Sequence, residues 1–171
     1  MRLRGHSCRQ GIGIGSITLP PTISVLDGDV FACHGSPAGG DLEYLLEDVS
    51  SGYPVLASAD AVRAWLAGIG RIRLVLCGHT HIARIATSHG VLIVNPGSVG
   101  MPAYRDERLV AHAMEAGSPH ARHAILARTS AGWRADLRSV PYDAEAAARQ
   151  AEQNGRHATA LSVRMGRAGP K

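Results

Sequence analysis

Three histidines follow short apolar segments, at positions where their imidazoles could bind a metal ion. Gly78-His79-Thr80-His81 comes directly after the apolar residues 74–77, and His34 follows residues 30–33. If residues 74–77 form a buried strand, His79 and His81 leave the same sheet edge on the same side, because side chains two residues apart share a face. Neutral imidazole is the commonest metal-binding side chain, and rings so close can serve one ion or two neighbouring ions. The spacing therefore predicts a metal site built from His34, His79 and His81.

Two alternatives compete with this interpretation. A histidine at a strand end often only bonds a backbone carbonyl. Cys77 has the same parity as the histidine pair, so a mononuclear zinc site of Cys77, His79, His81 and His34 is a second alternative, although a buried cysteine more often acts as a small hydrophobe. Asn95 ends another apolar run and enters the rigid loop Asn95-Pro96-Gly97-Ser98-Val99-Gly100. Its amide is predicted to serve either a turn or the binding of a substrate.

The segments that would hold these residues in place read as alternating strands and helices. Two apolar runs flank an Asp-Gly turn, and this spacing predicts a hairpin over residues 22–33. Residues 58–69 predict a helix with Ser58 as its N-cap, because apolar residues recur at helical spacing and glycines mark the end. Another helix is predicted from Asp143 to a stop at Asn154-Gly155. A short helix over 41–49 is also expected, together with strands over residues 74–77, 84–87, 91–94, 109–114, 123–129 and 133–140.

Composition narrows the class of protein. A chain of 171 residues with 45% hydrophobic and 19% charged residues is long enough for one globular domain with its own core. The net charge of +4 comes from scattered arginines, so we expect no nucleic-acid binding stripe. Three cysteines without CxxC spacing argue against a disulfide framework and fit a reducing cytoplasm, and no apolar run approaches a membrane span.

Taken together, the motifs resemble a known enzyme family. His34-Gly35-Ser36-Pro37, Gly78-His79-Thr80-His81 and Asn95-Pro96-Gly97-Ser98-Val99-Gly100, in this order, are similar to the second half of the calcineurin-like metallophosphoesterases, in their small bacterial phosphodiesterase-like branch. The resemblance implies an α/β fold, a sandwich of two mixed sheets flanked by helices. It also implies a metal-dependent phosphoester hydrolase that acts on a small-molecule phosphoester.

For the site, the resemblance implies two divalent ions, with no means of choosing among Mn2+, Fe2+, Zn2+ and Ni2+. His34 and His79 would bind one ion and His81 the other. Two such ions close together bind the phosphate oxygens, acidify a bridging water and stabilise in-line attack on phosphorus.

One departure from the family bears on activity. The family begins with Asp-x-His, Gly-Asp-x-x-Asp and Gly-Asn-His-Asp or Gly-Asn-His-Glu motifs, and none of them precedes His34. Two adjacent cations need anionic ligands to offset their repulsion, whereas three neutral imidazoles supply no negative charge. We therefore expect weak metal binding and little or no activity from the chain alone. The alternative function is a non-catalytic protein-interaction module on a degraded metallophosphoesterase fold.

The same departure shapes the expected domain organisation. Residues 1–17 read as an irregular lead-in, 18–160 as the carboxyl-terminal portion of a metallophosphoesterase domain whose amino-terminal strands are missing, and 161–171 as a frayed tail. A truncated gene product is the simplest account. An incomplete sheet would leave an unpaired edge or an apolar face, which predicts self-association.

Overall fold

A five-stranded mixed sheet forms the centre of the molecule. The structure is a computed structural model that describes residues 20–38, 43–108 and 110–169. The sheet contains β1 (Thr22–Val25), β2 (Val30–Cys33), β5 (Leu74–Leu76), β6 (Arg84–Ser88) and β7 (Val91–Asn95). Its strand order is β1-β2-β5-β7-β6, with β2, β5 and β7 parallel and the two outer strands antiparallel to their neighbours. The carboxyl ends of three adjacent strands therefore meet at one edge, as expected for β2 and β5 from the sequence.

One face of this sheet is covered by a helix. Helix α1 (Ala59–Leu66) lies in the crossover between β2 and β5, as predicted, and the Ser58 hydroxyl caps it by accepting a hydrogen bond from the Ala61 N–H at 3.2 Å. Strands β3 (Glu47–Asp48) and β4 (Val55–Leu56) pair with each other in the same crossover. The sheet residues that pack on this side alternate along the strands, and they include Cys33, Val75, Cys77 and Ile93.

A long hairpin covers the other face. Strands β10 (Ala121–Thr129) and β11 (Gly132–Val140) pair along their whole length, and their apolar residues pack on Val30, Leu74 and Val94. The Trp133 indole N–H donates to the Asp29 carboxylate at 2.9 Å and ties the hairpin to the β1–β2 turn. Because both faces are buried, the central parallel strands can be almost wholly apolar.

The carboxyl-terminal part consists of a short hairpin and two helices. Strands β8 (Ala103–Asp106) and β9 (His112–Glu115) pair, and helices α2 (Ala144–Gln153) and α3 (His157–Met165) pack through Ala148, Ala160 and Val163. Small alanine side chains let the two helices approach closely. The predicted frayed tail, residues 161–171, is therefore wrong for residues 161–165, which lie in α3.

Two other local predictions differ from the structure. The helix predicted over residues 41–49 is wrong in its described part, because Glu47 and Asp48 form β3 and pair with β4. The helical spacing of the apolar residues is misleading here, because Leu45 and Leu46 are both buried without a helix and long-range pairing sets the conformation of Glu47 and Asp48. Strand β8 was not predicted, since its sequence Ala-Tyr-Arg-Asp carries no strand pattern. The predicted lead-in, residues 1–17, lies outside the described residues.

Strand β1 exposes apolar side chains on the hairpin side of the sheet. Ile23 is 51% exposed and Val25 is 41% exposed. These side chains lie beyond the cover that β10 and β11 provide. Among the described helices, none is both long and apolar enough to cross a membrane.

Candidate functional site

The three predicted histidines lie in loops at one edge of the central sheet. The Gly78 N–H donates to the His34 carbonyl at 2.8 Å, which joins the loop after β2 to the loop after β5. The His34 and His79 rings are neighbours, with centroids 4.8 Å apart. Burial lowers the pKa of His81, and the interaction with His34 lowers it further. The fold thus brings the His34 and His79 rings into contact.

The backbone at His79 is strained. His79 has a φ of +65°, and the Thr80 N–H donates to the Gly78 carbonyl at 2.7 Å, which is the hydrogen bond of a γ-turn centred on His79. A γ-turn with a positive φ at its central residue is rare and strained. His81 also has a positive φ of +60°. The two side chains therefore leave from a tight turn and not from the extended strand end that the sequence predicted.

The His81 ring has a defined tautomer. Its Nδ1 lies 2.7 Å from the Met101 carbonyl oxygen, which can only accept, so Nδ1 carries the proton and donates. The pKa of His81 is lowered by burial, which favours the neutral ring. A neutral imidazole with Nδ1–H bound to a carbonyl keeps its Nε2 lone pair for a ligand.

Asn95 holds the histidine loop, residues 78–81, in place through hydrogen bonds. It is fully buried, and its Nδ2 donates to the Gly78 carbonyl at 2.9 Å and to the Thr80 hydroxyl at 2.8 Å. Its Oδ1 accepts from the Gly97 N–H at 2.9 Å. These contacts are all internal and favour the turn alternative, while the substrate-binding role stays a prediction.

Behind Thr80 lies a buried carboxylate that the sequence analysis missed. Glu47 accepts a hydrogen bond from the Arg84 Nε at 2.9 Å, and its side chain is only 1% exposed. Burial raises the pKa of Glu47, whereas Arg84 lowers it. Arg84 with Glu47, and Asn95 with Thr80, thus form two hydrogen-bonded polar pairs next to the histidine loop.

Two tyrosines contact His79 from the side. The Tyr44 ring lies against the His79 ring, with centroids 5.1 Å apart, and the Tyr104 hydroxyl donates to the His79 carbonyl at 2.9 Å. The sequence around Tyr104, Ala-Tyr-Arg-Asp, gives no sign of this contact. Tyr44 gave no signal, because its partners are distant along the chain.

The cysteine alternative does not fit the structure. Cys33 and Cys77 pack in the apolar cluster beneath α1, on the face of the sheet that α1 covers. Burial raises the pKa of Cys33 to about 11 and that of Cys77 well above its usual value. Among the described residues, no group that includes Cys77 is placed to hold a metal ion. A zinc site that uses the Cys77 thiolate is therefore not supported.

The described side chains do not make a complete two-metal site. Within residues 20–38, 43–108 and 110–169, no group of three or more His, Cys, Asp and Glu side chains is placed to hold a metal ion. His34 and His79 are adjacent as a pair, and the buried Glu47 is engaged by Arg84. The histidines fit part of a metal site, but the bridging carboxylate that would offset the charge of two ions is not among the described groups.

A glycine in the Asn95 loop gives a first test of this packing. Gly97 (φ +85°) and Gly28 (φ +83°) have the same backbone conformation, but a Cβ at Gly97 would meet Arg122 Cδ at 3.0 Å and Ala83 Cβ at 3.1 Å, whereas nothing lies within 4 Å at Gly28. We expect Gly28→Ala to lower the free energy of unfolding by about 1 kcal/mol and Gly97→Ala by about 2 kcal/mol or more. Chemical denaturation measures both, and equal losses would contradict the crowding at Gly97.

Known proteins similar to this chain include one domain family and two solved structures. The sequence profile of the calcineurin-like phosphoesterase superfamily domain matches residues 21–116, more than half of the chain. The crystal structure of hypothetical protein PH1004 from Pyrococcus horikoshii OT3 is similar with a TM-score of 0.63 and 16% identity, over 89% of this chain and 53% of that one. This likeness confirms the predicted α/β fold. The chain spans about half the length of PH1004.

A second structure is more distant. A single mutant of Vps29 from Entamoeba histolytica matches with a TM-score of 0.36 and 12% identity, over 79% of this chain and 67% of that one. A score this low does not bear on the fold. No curated protein matches the sequence significantly.

Proposed function

The chain belongs to the calcineurin-like phosphoesterase superfamily, and from that premise we propose that it carries the histidine half of a phosphoester hydrolase site. The observation that supports this function is the contact between the His34 and His79 rings, in the loops that follow the adjacent parallel strands β2 and β5, with His81 two residues beyond His79. Such sheet edges are where α/β proteins place their ligand sites. The substrate class is a small-molecule phosphoester.

In this proposal the chain's own residues supply neutral nitrogen ligands and a rigid support. His81 offers Nε2 because Met101 holds its Nδ1 proton, and His79 is presented by a strained turn. The two divalent ions used by the family would supply the charge that activates water and stabilises the phosphoryl oxygens. Since the described residues lack the bridging carboxylate, the chain alone should bind metal weakly and hydrolyse phosphodiesters slowly or not at all.

The proposal is tested by measuring metal binding and hydrolysis together. Calorimetry with Mn2+ or Zn2+ should show weak binding, and His79→Ala should weaken it by at least about tenfold. Cys77→Ala should leave the affinity unchanged, and His157→Ala is the matched control, since His157 is exposed at the start of α3. Hydrolysis of bis-p-nitrophenyl phosphate should be marginal. Tight binding that disappears only in Cys77→Ala would contradict the proposed site.

A second candidate function, a non-catalytic interaction module, is favoured by the exposed edge of the sheet. Ile23 and Val25 in β1 expose 51% and 41% of their surfaces, and Leu26 in the turn that follows exposes 57%. An edge strand with exposed apolar residues can pair with the same strand of a second copy. Sedimentation velocity on the calorimetry samples separates the two candidates: a dimer that binds no metal supports the module, and a metal-binding monomer supports the hydrolase.

A further inference from the structure

The strained backbone turn at His79 must be held by contacts with its surroundings, and two tyrosines make such contacts. We propose that Tyr104 and Tyr44 are positioning residues that hold His79 in the geometry of the site; their value for catalysis rests on the proposed function, but their contacts with His79 do not. A left-handed residue other than glycine persists only where its surroundings over-determine it. The contacts of Tyr104 and Tyr44 supply that constraint on the backbone and on the ring.

Tyr104 constrains the backbone of the turn. Its hydroxyl donates to the His79 carbonyl at 2.9 Å, and its ring lies edge-on to the His81 ring with centroids 5.1 Å apart. One side chain on β8 therefore contacts both histidines of the pair.

Tyr44 constrains the ring of His79. The His79 ring contacts two other rings, that of His34, with centroids 4.8 Å apart, and that of Tyr44, with centroids 5.1 Å apart. Tyr44 is itself buried, and its ring meets the His112 ring at 5.5 Å. The imidazole thus belongs to a series of four rings in successive contact, and these contacts limit rotation about its χ angles.

The Tyr44 ring is fixed by a group of polar side chains. Its hydroxyl donates to the Asp106 carboxylate at 3.1 Å and lies 3.1 Å from His112 Nε2. Asp106 is held in turn by Arg108, whose guanidinium is the main cause that lowers the pKa of this carboxyl. A carboxylate that stays ionised is a strong acceptor for the tyrosine hydroxyl. The contacts of the Tyr44 hydroxyl therefore set the position of its ring.

The test compares full-length phenylalanine variants by amide hydrogen exchange and by the NMR signals of the histidine rings, without metal. Tyr104→Phe removes only the hydroxyl that donates to His79. We expect the Thr80 N–H, the donor of the γ-turn bond, to exchange roughly tenfold faster, and the His79 and His81 ring signals to shift. Tyr53→Phe is the matched control, because Tyr53 is 75% exposed.

A purely structural role predicts a different result. General loss of stability would speed exchange in β5, for example at the Val75 N–H, in step with Thr80, whereas positioning leaves Val75 unchanged. Tyr44→Phe keeps the ring beside His79 and removes the hydroxyl from Asp106, so it should shift the His79 ring signals with a smaller effect on Thr80. If Tyr104→Phe does not fold, Tyr44→Phe tests the positioning role by itself.

The proposal is overturned if the signals of His79 and the exchange of Thr80 match the parent chain in every phenylalanine variant that folds. Parallel changes in Thr80 and Val75 overturn it as well. None of these measurements needs a substrate. A chain that hydrolyses no phosphoester would contradict the proposed function while leaving the positioning result intact.

Discussion

Asn95→Ala is expected to destabilise the folded chain by about 3 kcal/mol, because it removes three internal hydrogen bonds from a fully buried site and leaves polar partners without water. The Gly78 carbonyl, the Thr80 hydroxyl and the Gly97 N–H would each lose a partner. Urea denaturation measures the loss. Asn154→Ala is the control: Asn154 is exposed, and its substitution should change stability by less than about 0.5 kcal/mol.

Asn95→Asp separates the accepting and donating roles of the amide. The aspartate keeps an oxygen for the Gly97 N–H but places an ionised oxygen against the Gly78 carbonyl. This variant should therefore be at least as unstable as Asn95→Ala near neutral pH and recover as the carboxyl is protonated, because a protonated acid can donate one hydrogen bond. If neither substitution costs more than about 1 kcal/mol, the histidine loop does not depend on Asn95.

Arg84→Met is expected to cost about 3 kcal/mol near neutral pH, because it leaves the Glu47 carboxylate, 1% exposed, buried without its cation. Arg84 itself is 27% exposed, and methionine preserves most of its apolar stem. Arg138→Met is the matched control, since the Arg138–Asp136 pair is 54% and 37% exposed and should contribute less than about 1 kcal/mol.

The loss in Arg84→Met should depend on pH in a defined direction. Burial already raises the pKa of Glu47, and loss of Arg84 raises it further. A carboxyl with a raised pKa binds its proton more tightly in the folded state, so its contribution to stability is full below the unfolded pKa and is lost as pH rises through the folded pKa. The gap between variant and parent should therefore shrink from about pH 7 to about pH 4. A gap that widens on acidification would contradict a buried Glu47.

The sequence predicted which residues follow the ends of the strands, because the pattern that indicates them lies within a few neighbouring residues. An apolar run followed by glycine and histidine indicates both a buried strand and the side chain at its end, and His34 and His79 lie side by side as a result. Helix α1 was equally clear, since Ser58 and the helical spacing act within one short segment. The turn geometry was missed, because nothing local shows that the strand ends at Leu76 and that His79 adopts a positive φ.

The supports of the site could not be predicted, because each joins residues far apart along the chain. Glu47 and Arg84 are separated by 37 positions, and Tyr44 and Asp106 by 62. A glutamate inside an apolar segment is indistinguishable from a solvated helix residue until its cation is placed beside it. The Arg84–Glu47 and Tyr44–Asp106 contacts therefore depend on the tertiary fold.

The left-handed conformation of His79 and His81 has a consequence for laboratory evolution of this chain. Glycine at position 79 would relieve about 1 kcal/mol of backbone strain but would empty the space that the imidazole fills against His34 and Tyr44, which costs more. Selection for heat resistance alone should therefore keep a ring at position 79. The side chain that is proposed to bind metal is also part of the packing, so survival at high temperature and retention of the imidazole are selected together.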